Sequence, residues 1–293
     1  MPLFGQDFSG ALNRRVTILG PGLIGGSLAM ALSRAGGFRD ITIWARREEA
    51  VREAAARLPT CQVTHDLATA TADCDIAVLC LSPHAIELIG TELKKYLPNR
   101  AVVTDAGSVK GKIVSCLEKI FGGRFIGAHP MAGSEQSGLR AARENLYDGA
   151  VCILTPTACT DASAHHLAAE LWSAAGCALQ EMSPEAHDRA MARISHLPHA
   201  AAAALVHAAL ARDPSLARLA GGGYRDSTRI AGGPEGLWAE IFLDNSAEVL
   251  SGIHDLQTAL ETLKLALNSG NRNAVESFLA DARTLRASQP PAI

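Results

Sequence analysis

Short apolar segments alternate with helix-forming segments from Val16 to about Ser183 of this 293-residue chain. The apolar segments are VTILG, ITIW, DIAVLCLS, AVVTDAG, FIGAH, VCILTP and ALQEMS, with stretches such as SLAMALSRA and AIELIGTELKKYL between them. Strands that are apolar at every position are typical of parallel sheets covered by helices on both faces. The pattern therefore predicts an α/β fold built from βαβ units, with a doubly wound, mostly parallel sheet.

The rest of the chain has no strand-like segments. After Pro184 the sequence is typical of helices, among them EAHDRAMARISHLPHAAAALVHAAL and GLWAEIFLDNSAEVLSGIHDLQTALETLKLAL. We therefore predict an α/β domain at residues 1–183 and an all-helical domain at residues 184–293. Small side chains on every face of the segment from Ala200 to Ala211 let another helix approach closely. That helix can belong to the same chain or to a second copy, and we favour a homodimer.

Composition and charge exclude several classes of protein. The chain has 27 Lys plus Arg against 30 Asp plus Glu, a net charge of -3, so it lacks the basic excess typical of nucleic-acid binding. No stretch approaches the roughly 20 apolar residues that cross a bilayer. The N-terminus has no secretory signal pattern, so we expect a cytoplasmic protein with neither a membrane nor a nucleic acid as partner. The seven cysteines have no zinc-ligand spacing, and we predict no metal site.

A glycine-rich turn joins the first predicted strand to the helix that follows it. It reads GPGLIG at residues 20–25, a GxGxxG pattern in the strand-turn-helix context that binds dinucleotides. Gly20 permits the tight turn, Gly22 lets the backbone approach a pyrophosphate, and Gly25 lets helix and strand pack closely. Leu23 and Ile24 complete the loop, and the helix N-terminus supplies free N–H donors and a positive dipole. A merely structural turn is the alternative, but this context favours a Rossmann-type dinucleotide site.

The end of the second predicted strand bears on the choice of dinucleotide. An NAD site usually places Asp or Glu about 20 residues after the glycines, where it binds the ribose hydroxyls. Here that position is Ala45, and Arg46 and Arg47 follow it. Two guanidinium groups can hold a 2'-phosphate, so NADP fits better than NAD. The alternative is that both arginines are solvated surface charges and that NAD is also accepted.

Polar residues follow three of the later strands. They are Leu81-Ser82-Pro83 after DIAVLC, the residues from Asp105 to Ser108, and His129-Pro130 after FIGA. Ligands of doubly wound folds bind at the carboxyl ends of the strands, so these loops should meet at one crevice. His129 beside the expected nicotinamide position is a candidate catalytic base, although a lone histidine at a strand end is often structural.

Several motifs in order along the chain are more specific than a Rossmann pattern. The segments GPGLIGGS, TDAGSVK, GAHPMAGSEQSG, ISHLPH and GGGYRDSTRIA resemble the prephenate and arogenate dehydrogenase family of tyrosine biosynthesis, over roughly residues 15–265. The resemblance implies oxidation of the C4 hydroxyl of a cyclohexadienyl ring with hydride transfer to a nicotinamide. It also implies loss of the ring carboxylate as carbon dioxide while the ring becomes aromatic.

The resemblance also implies roles for individual residues. His129 matches the histidine that withdraws the proton of the C4 hydroxyl, and Ser108 matches the serine that bonds the same hydroxyl beside the nicotinamide. Ser108 can also serve as the N-cap of the following helix, VKGKIVSCLEKI. Arg229 matches the arginine that holds the ring carboxylate, and Arg225 upstream adds positive potential. For both arginines, simple surface solvation is the alternative.

Other motif residues are expected around the substrate in a cleft between the two domains. We favour His199 over His196 for contact with the substrate side chain. Asp188 and Glu135 match acidic positions that orient the cationic groups of the site, and such an acid near Arg229 would hold its guanidinium in place. Trp238 fits a wall over the substrate, although a large aromatic residue on a helix is as often core packing. These roles are implied by the resemblance.

Two other functions compete with this interpretation. A β-hydroxyacid dehydrogenase shares the architecture but usually depends on a lysine in its helical domain. In the predicted helical domain of this chain, Lys264 is the only lysine. A catalytically silent dinucleotide sensor would need the three glycines but not His129, Ser108 or Arg229. Their joint presence favours an enzyme. Prephenate and arogenate differ in a keto or amino group, and His199 favours prephenate or the use of both.

Overall fold

The computed structural model describes residues 14–134 and 136–288. Its strands are β1 (Arg14–Leu19), β2 (Phe38–Trp44), β3 (Gln62–Thr64), β4 (Ile76–Leu79), β5 (Val102–Asp105), β6 (Phe125–Pro130), β7 (Val151–Thr155) and β8 (Ala178–Glu181). They form one sheet in the order β3-β2-β1-β4-β5-β6-β7-β8. Neighbouring strands are parallel except β6 and β7, which confirms the predicted doubly wound, mostly parallel sheet.

The strand β3 is the one that the sequence pattern misses. It has only three residues, none of them buried, and it lies at one edge of the sheet beside β2. Because an edge strand whose side chains are all at least partly exposed needs no apolar run, the signal that reveals the central strands is absent there.

The side chains of each central strand divide between two apolar cores, one on each face of the sheet. In β4, Ile76 and Val78 belong to the core that contains Trp172, whereas Ala77 and Leu79 belong to the other. Successive side chains of a strand point to opposite faces, so both faces of the sheet are buried. Fully burying one Ile, Val or Leu side chain contributes about 1.5–3 kcal/mol to stability.

Six helices accompany the sheet and six form the rest of the described chain. The first six are α1 (Leu23–Ala35), α2 (Glu48–Arg57), α3 (Leu67–Thr71), α4 (Pro83–Leu93), α5 (Gly111–Phe121) and α6 (Ala162–Ala174). The others are α7 (Pro184–Met191), α8 (Leu197–Leu210), α9 (Gly222–Thr228), α10 (Glu235–Asp244), α11 (Ser246–Asn268) and α12 (Arg272–Ala287). A π-helical turn at Ala192–His196 joins α7 to α8. Among these described helices, none combines the length and apolarity that crossing a bilayer requires.

The helix α10 connects the helical part of the chain to the sheet. Ile241 is buried in the same core as residues of β4 and β5. The carboxylate of Glu240 accepts a hydrogen bond of 3.0 Å from the main-chain N–H of His84, at the start of α4. Lys112 of α5 lies 2.8 Å from the carboxylate of Asp244. These contacts hold α10 beside the carboxyl ends of the strands.

Candidate active site

A cleft of about 610 Å³ opens where the carboxyl ends of β1, β4, β5 and β6 face the helical part of the chain. Its walls include Leu23, Ile24, Leu81, Ser82, Pro83, Ser108 and His129 on the sheet side, and Ser195, His199, Arg229 and Trp238 on the helical side. The strand-end loops that the sequence singles out therefore line one cavity. Such a position is where ligands bind in open α/β sheets.

The glycine-rich loop at one end of the cleft has the geometry of a phosphate site. Gly20 has a φ of +108°, and a Cβ there would lie 2.4 Å from the main-chain oxygen of Cys80. A Cβ on Gly25 would lie 2.1 Å from the main-chain oxygen of Gly20, so helix and turn could not pack as they do. At Gly22 nothing lies within 4 Å, which leaves the backbone open to a ligand. No side chain caps the N-terminus of α1, so its first N–H groups can bind a pyrophosphate.

The two arginines after β2 lie at the strand end where the adenosine ribose of a dinucleotide is expected. Ala45 is buried, whereas Arg46 and Arg47 are exposed, and Arg47 immediately precedes α2. Both guanidinium groups are therefore accessible to a 2'-phosphate. On the opposite side of the glycine loop, the side chain of Leu81 packs against Gly20.

Ser108 lines the cleft but does not cap the helix that follows it, so the predicted alternative role as an N-cap is wrong. The helix α5 begins at Gly111. Its first free N–H groups, those of Lys110 and Gly111, each donate a 2.8 Å hydrogen bond to the carboxylate of Asp188. Since Asp188 already satisfies the helix terminus, the hydroxyl of Ser108 is free for another role in the cleft.

A buried ion pair shapes the loop that carries Ser108. The ammonium group of Lys110 contacts the carboxylate of Asp105, and both side chains are fully buried. Lys110 also donates a hydrogen bond of 2.8 Å to the main-chain oxygen of Ala128. Asp105 accepts hydrogen bonds from the main-chain N–H groups of Gly107 (2.8 Å) and Ala128 (3.1 Å). The pair thus binds the loop after β5 to the residue that precedes His129 on β6. It sets the position of Ser108 relative to His129.

His129 is the first member of a hydrogen-bonded chain of three side chains. Its Nδ1 lies 2.8 Å from Nε2 of His187, and Nδ1 of His187 lies 2.8 Å from the carboxylate of Asp188. An ionised carboxylate only accepts, so Nδ1 of His187 carries a proton and, in the neutral ring, its Nε2 accepts. His129 then donates through Nδ1, which leaves its Nε2 with a free lone pair. In this arrangement His129 can act as a base at the cleft.

The surroundings keep both imidazoles of this chain neutral. Burial, together with the ammonium group of Lys110 and the neighbouring imidazoles of His187 and His196, holds the pKa of His129 well below its usual range. Burial also lowers the pKa of His187, although Asp188 opposes that shift. The carboxylate stays ionised because hydrogen bonds from His187, Gly111 and Lys110 outweigh burial and lower the pKa of Asp188.

The two histidines of the SHLPH motif have different environments. His199 lines the cleft and stacks on Trp238, with ring centroids 3.5 Å apart and planes 14° apart. His196 is 1% exposed, and its Nδ1 accepts a 3.2 Å hydrogen bond from the amide of Asn245, which also donates to the main-chain oxygen of Asp188. The ring of His196 also meets that of Trp238, edge to face, with centroids 6.3 Å apart. Of the pair, His199 is the one that lines the cleft.

Protonation of His196 should cost stability in acid. Burial lowers the pKa of His196 from 6.5 to about 4. As the pH falls, the unfolded chain binds this proton at a higher pH than the folded chain. The stability of the folded state is therefore unaffected by the protonation of His196 above pH 6.5 and decreases as the pH falls towards about 4. Between pH 7 and pH 5 we expect His196 to account for about 2 kcal/mol of a falling free energy of unfolding.

Urea unfolding of the wild type and of His196→Asn at the two pH values measures this contribution. The variant should lose about 2 kcal/mol less than the wild type between pH 7 and pH 5. His254→Asn, at an exposed position of α11, is the control and should behave as the wild type. An unchanged pH dependence in His196→Asn would contradict the assignment of a neutral, buried His196.

The remaining residues singled out in the sequence are distributed as follows. Arg229 lines the cleft, whereas Arg225 is exposed on α9 and does not line it. Asp188 accepts hydrogen bonds from the start of α5 and from His187. It therefore orients His187, and not the guanidinium of Arg229 as the sequence suggested. Glu135 lies outside the described residues.

Sequence reasoning missed His187, Asn245 and the pair of Asp105 with Lys110. The His187-Asp188 dipeptide directly after a helix start at Pro184 is the one local signal that was available. Lys264, which a β-hydroxyacid dehydrogenase would need in its site, is exposed on α11 and lies 2.9 Å from Glu261. In the described residues, no group of three or more His, Cys, Asp or Glu side chains could hold a metal ion.

Comparison with known proteins gives consistent matches along the chain. Residues 28–181 match the family described as prephenate dehydrogenase, nucleotide-binding domain, and residues 183–281 match prephenate dehydrogenase, dimerization domain. The prephenate dehydrogenase of Bacillus subtilis is 32% identical over 283 residues, which cover 94% of this chain and 76% of that protein.

Two solved structures have the same fold over nearly the whole chain. The prephenate dehydrogenase of A. aeolicus, in complex with hydroxyphenyl propionate and NAD+, has a TM-score of 0.85 and 34% identity, and the match covers 94% of this chain and 97% of that one. For the arogenate dehydrogenase of Synechocystis the TM-score is 0.79 and the identity 29%, and the match covers 93% of this chain and 99% of that one. Together with the two matched domains, these similarities show that the chain belongs to the prephenate dehydrogenase family.

Proposed function

We propose that this enzyme oxidises the C4 hydroxyl of prephenate, with NADP as the preferred oxidant and arogenate as a second substrate. The observation that carries the proposal is the hydrogen-bonded chain of Asp188, His187 and His129, which ends in a cleft that begins at the glycine loop. A bound nicotinamide supplies the hydride acceptor in this reaction. The steps described below belong to the side chains of the protein.

The base in this mechanism is His129. As hydride leaves C4, the hydroxyl becomes acidic, and Nε2 of His129 takes its proton. The positive charge that develops on the imidazole is stabilised through His187 by the carboxylate of Asp188, which also fixes the tautomer. Because burial keeps the pKa of His129 well below its usual range, the base is unprotonated at neutral pH. Its weak basicity suffices because the proton becomes labile as the C–H bond breaks.

The other residues of the cleft bind and orient the substrate. Ser108 bonds the C4 hydroxyl, and Arg229 holds the ring carboxylate until it leaves as carbon dioxide. The stacked pair of His199 and Trp238 covers the substrate, with His199 towards the side chain. Holding both ends of the substrate keeps C4 in line with the acceptor, and alignment of this kind contributes several kcal/mol, up to about 7–11 in favourable systems.

The choice of prephenate rests on the polar groups around the side chain. The described residues that line the cleft include no Asp or Glu that would pair with the ammonium group of arogenate, and His199 and Arg229 suit the carboxylates that both substrates carry. The test is to follow reduced-nicotinamide absorbance with prephenate and with arogenate, each paired with NAD and NADP. Turnover with prephenate and NADP supports the proposal. No turnover in any of the four combinations, with dinucleotide still bound, would favour a silent sensor.

The preference for NADP is tested by removing the two arginines after β2. In Arg46→Ala/Arg47→Ala we expect KM for NADP to rise at least about tenfold, because charge-assisted hydrogen bonds to the 2'-phosphate are lost. KM for NAD should stay within twofold. Arg57→Ala, at the far end of α2, is the control, and steady-state kinetics with each dinucleotide measures the effect. Equal effects on NAD and NADP would contradict a 2'-phosphate site.

A homodimer through the helical part of the chain completes the proposal. Leu250, Leu260 and Leu267 of α11 and Leu279 and Leu285 of α12 are each at least 57% exposed. Several exposed leucines on two packed helices are typical of an interface. The match of this region to a family described as a dimerization domain supports the assignment. Light scattering of the purified protein should give twice the mass of the chain.

A further inference from the structure

Residues 138–148 form a segment, here termed the strap, that runs from the cleft to the first turn of α1. We propose that the strap positions the phosphate loop and that Tyr147 is its main positioning residue for dinucleotide binding. The inference rests on the proposed use of a dinucleotide. It concerns no residue that touches the substrate.

Three contacts join the strap to the consecutive residues 24–27. The phenol of Tyr147 donates a 2.6 Å hydrogen bond to the main-chain oxygen of Ile24. The main-chain N–H of Arg143 donates 3.0 Å to the hydroxyl of Ser27. The side chain of Leu139 covers Gly26 so closely that a Cβ there would lie 2.4 Å from it. The strap therefore packs along the first turn of α1, directly behind the groups that face a pyrophosphate.

Tyr147 is held firmly enough to act as a support. Its side chain is fully buried, and its ring meets that of Trp172 edge to face at 5.7 Å and 69°. Burial raises the pKa of Tyr147 well above its usual value, so the phenol keeps its proton and remains a donor. Because the ring is fixed in the core, the hydroxyl is held in one position, where it donates to the main-chain oxygen of Ile24.

The position of that acceptor explains how Tyr147 can act on a ligand that it does not touch. The oxygen of Ile24 and the N–H of Gly25 belong to one peptide group. Accepting a hydrogen bond at the oxygen polarises the peptide and strengthens the N–H as a donor. Gly25 is in the first turn of α1, where N–H groups have no partner within the helix. Tyr147 thus both orients and polarises a main-chain donor of the loop to which we assign the pyrophosphate.

The strap also begins where a wall of the cleft ends. Residues 131–134 and 136–138 line the cleft after β6, and the chain then passes directly into the strap. The same length of chain therefore connects the strand of His129 to the phosphate loop. This places the support for the dinucleotide on the element that also borders the substrate.

The experiment measures dinucleotide binding without substrate. In Tyr147→Phe, which keeps the ring and removes the hydroxyl, the Kd of NADP and of NAD from isothermal titration calorimetry should rise about 3- to 10-fold. The kcat at saturating dinucleotide should stay within twofold of the wild type. Tyr96→Phe, at a tyrosine that is 41% exposed, is the matched control and should leave both Kd values unchanged.

The thermal midpoint of the ligand-free protein separates positioning from stability. A lower Tm with unchanged Kd values would overturn the proposal, because the hydroxyl would then serve only the fold. If Tyr147→Phe does not fold, Ser27→Ala removes the second contact of the strap, and unchanged Kd values there would also overturn it. If the wild type binds neither dinucleotide, the proposed function is wrong, and the role of Tyr147 that rests on it is wrong as well. If it binds both but oxidises neither substrate, the Kd comparison still decides the role of Tyr147.

Discussion

Replacing His129 by asparagine is expected to lower kcat for prephenate oxidation by about 10²- to 10⁴-fold, the range typical of a lost general base. Asparagine can still donate to Nε2 of His187 but offers the substrate no basic nitrogen. Dinucleotide affinity should change less than twofold, since the glycine loop does not depend on this side chain. Steady-state kinetics and calorimetric titration of NADP measure the two quantities separately.

A matched exchange at a remote histidine controls for general damage. His166 is exposed on α6, and His166→Asn should retain the kcat of the wild type. If His129→Asn kept more than a tenth of the wild-type kcat, the base would have to be another group. If kcat fell together with dinucleotide affinity, the loss would reflect a disturbed cleft and not a missing base.

Replacing Lys110 by methionine is expected to lower the free energy of unfolding by about 3–5 kcal/mol. The exchange leaves the carboxylate of Asp105 buried at 0% exposure without its cation. It also removes the donor to the main-chain oxygen of Ala128, so that the hydrogen bond from the N–H of Ala128 to Asp105 is the contact of the buried pair that still connects this loop to β6. Urea denaturation at pH 7 measures the change.

Two further variants make this result specific. Lys119→Met changes an exposed lysine on α5 and should leave the free energy of unfolding nearly unchanged. Asp105→Asn combined with Lys110→Met removes the uncompensated charge and should recover part of the lost stability. A loss of less than about 1 kcal/mol in Lys110→Met would mean that water or a rearranged side chain replaces the buried pair.

The class of fold and one side of the site follow from local patterns in the amino-acid sequence. The central strands can be recognised from short stretches of sequence, because burial on both faces requires an apolar residue at nearly every position. The glycine loop is equally local, since the tight turn at Gly20 and the close approach at Gly25 allow no side chain. His129 and Ser108 could be placed in one crevice because parallel strands end at the same edge of a sheet.

The contacts that hold those groups join residues that are far apart in the sequence. Asp188 caps a helix that begins 77 residues earlier, and His187 reaches a histidine 58 residues away. Tyr147 supports a carbonyl group 123 residues before it. Contacts of this kind leave no periodicity or spacing in the sequence, because packing between distant elements creates them. Local physics therefore determined where the reacting groups lie, and tertiary packing decided their protonation, orientation and support.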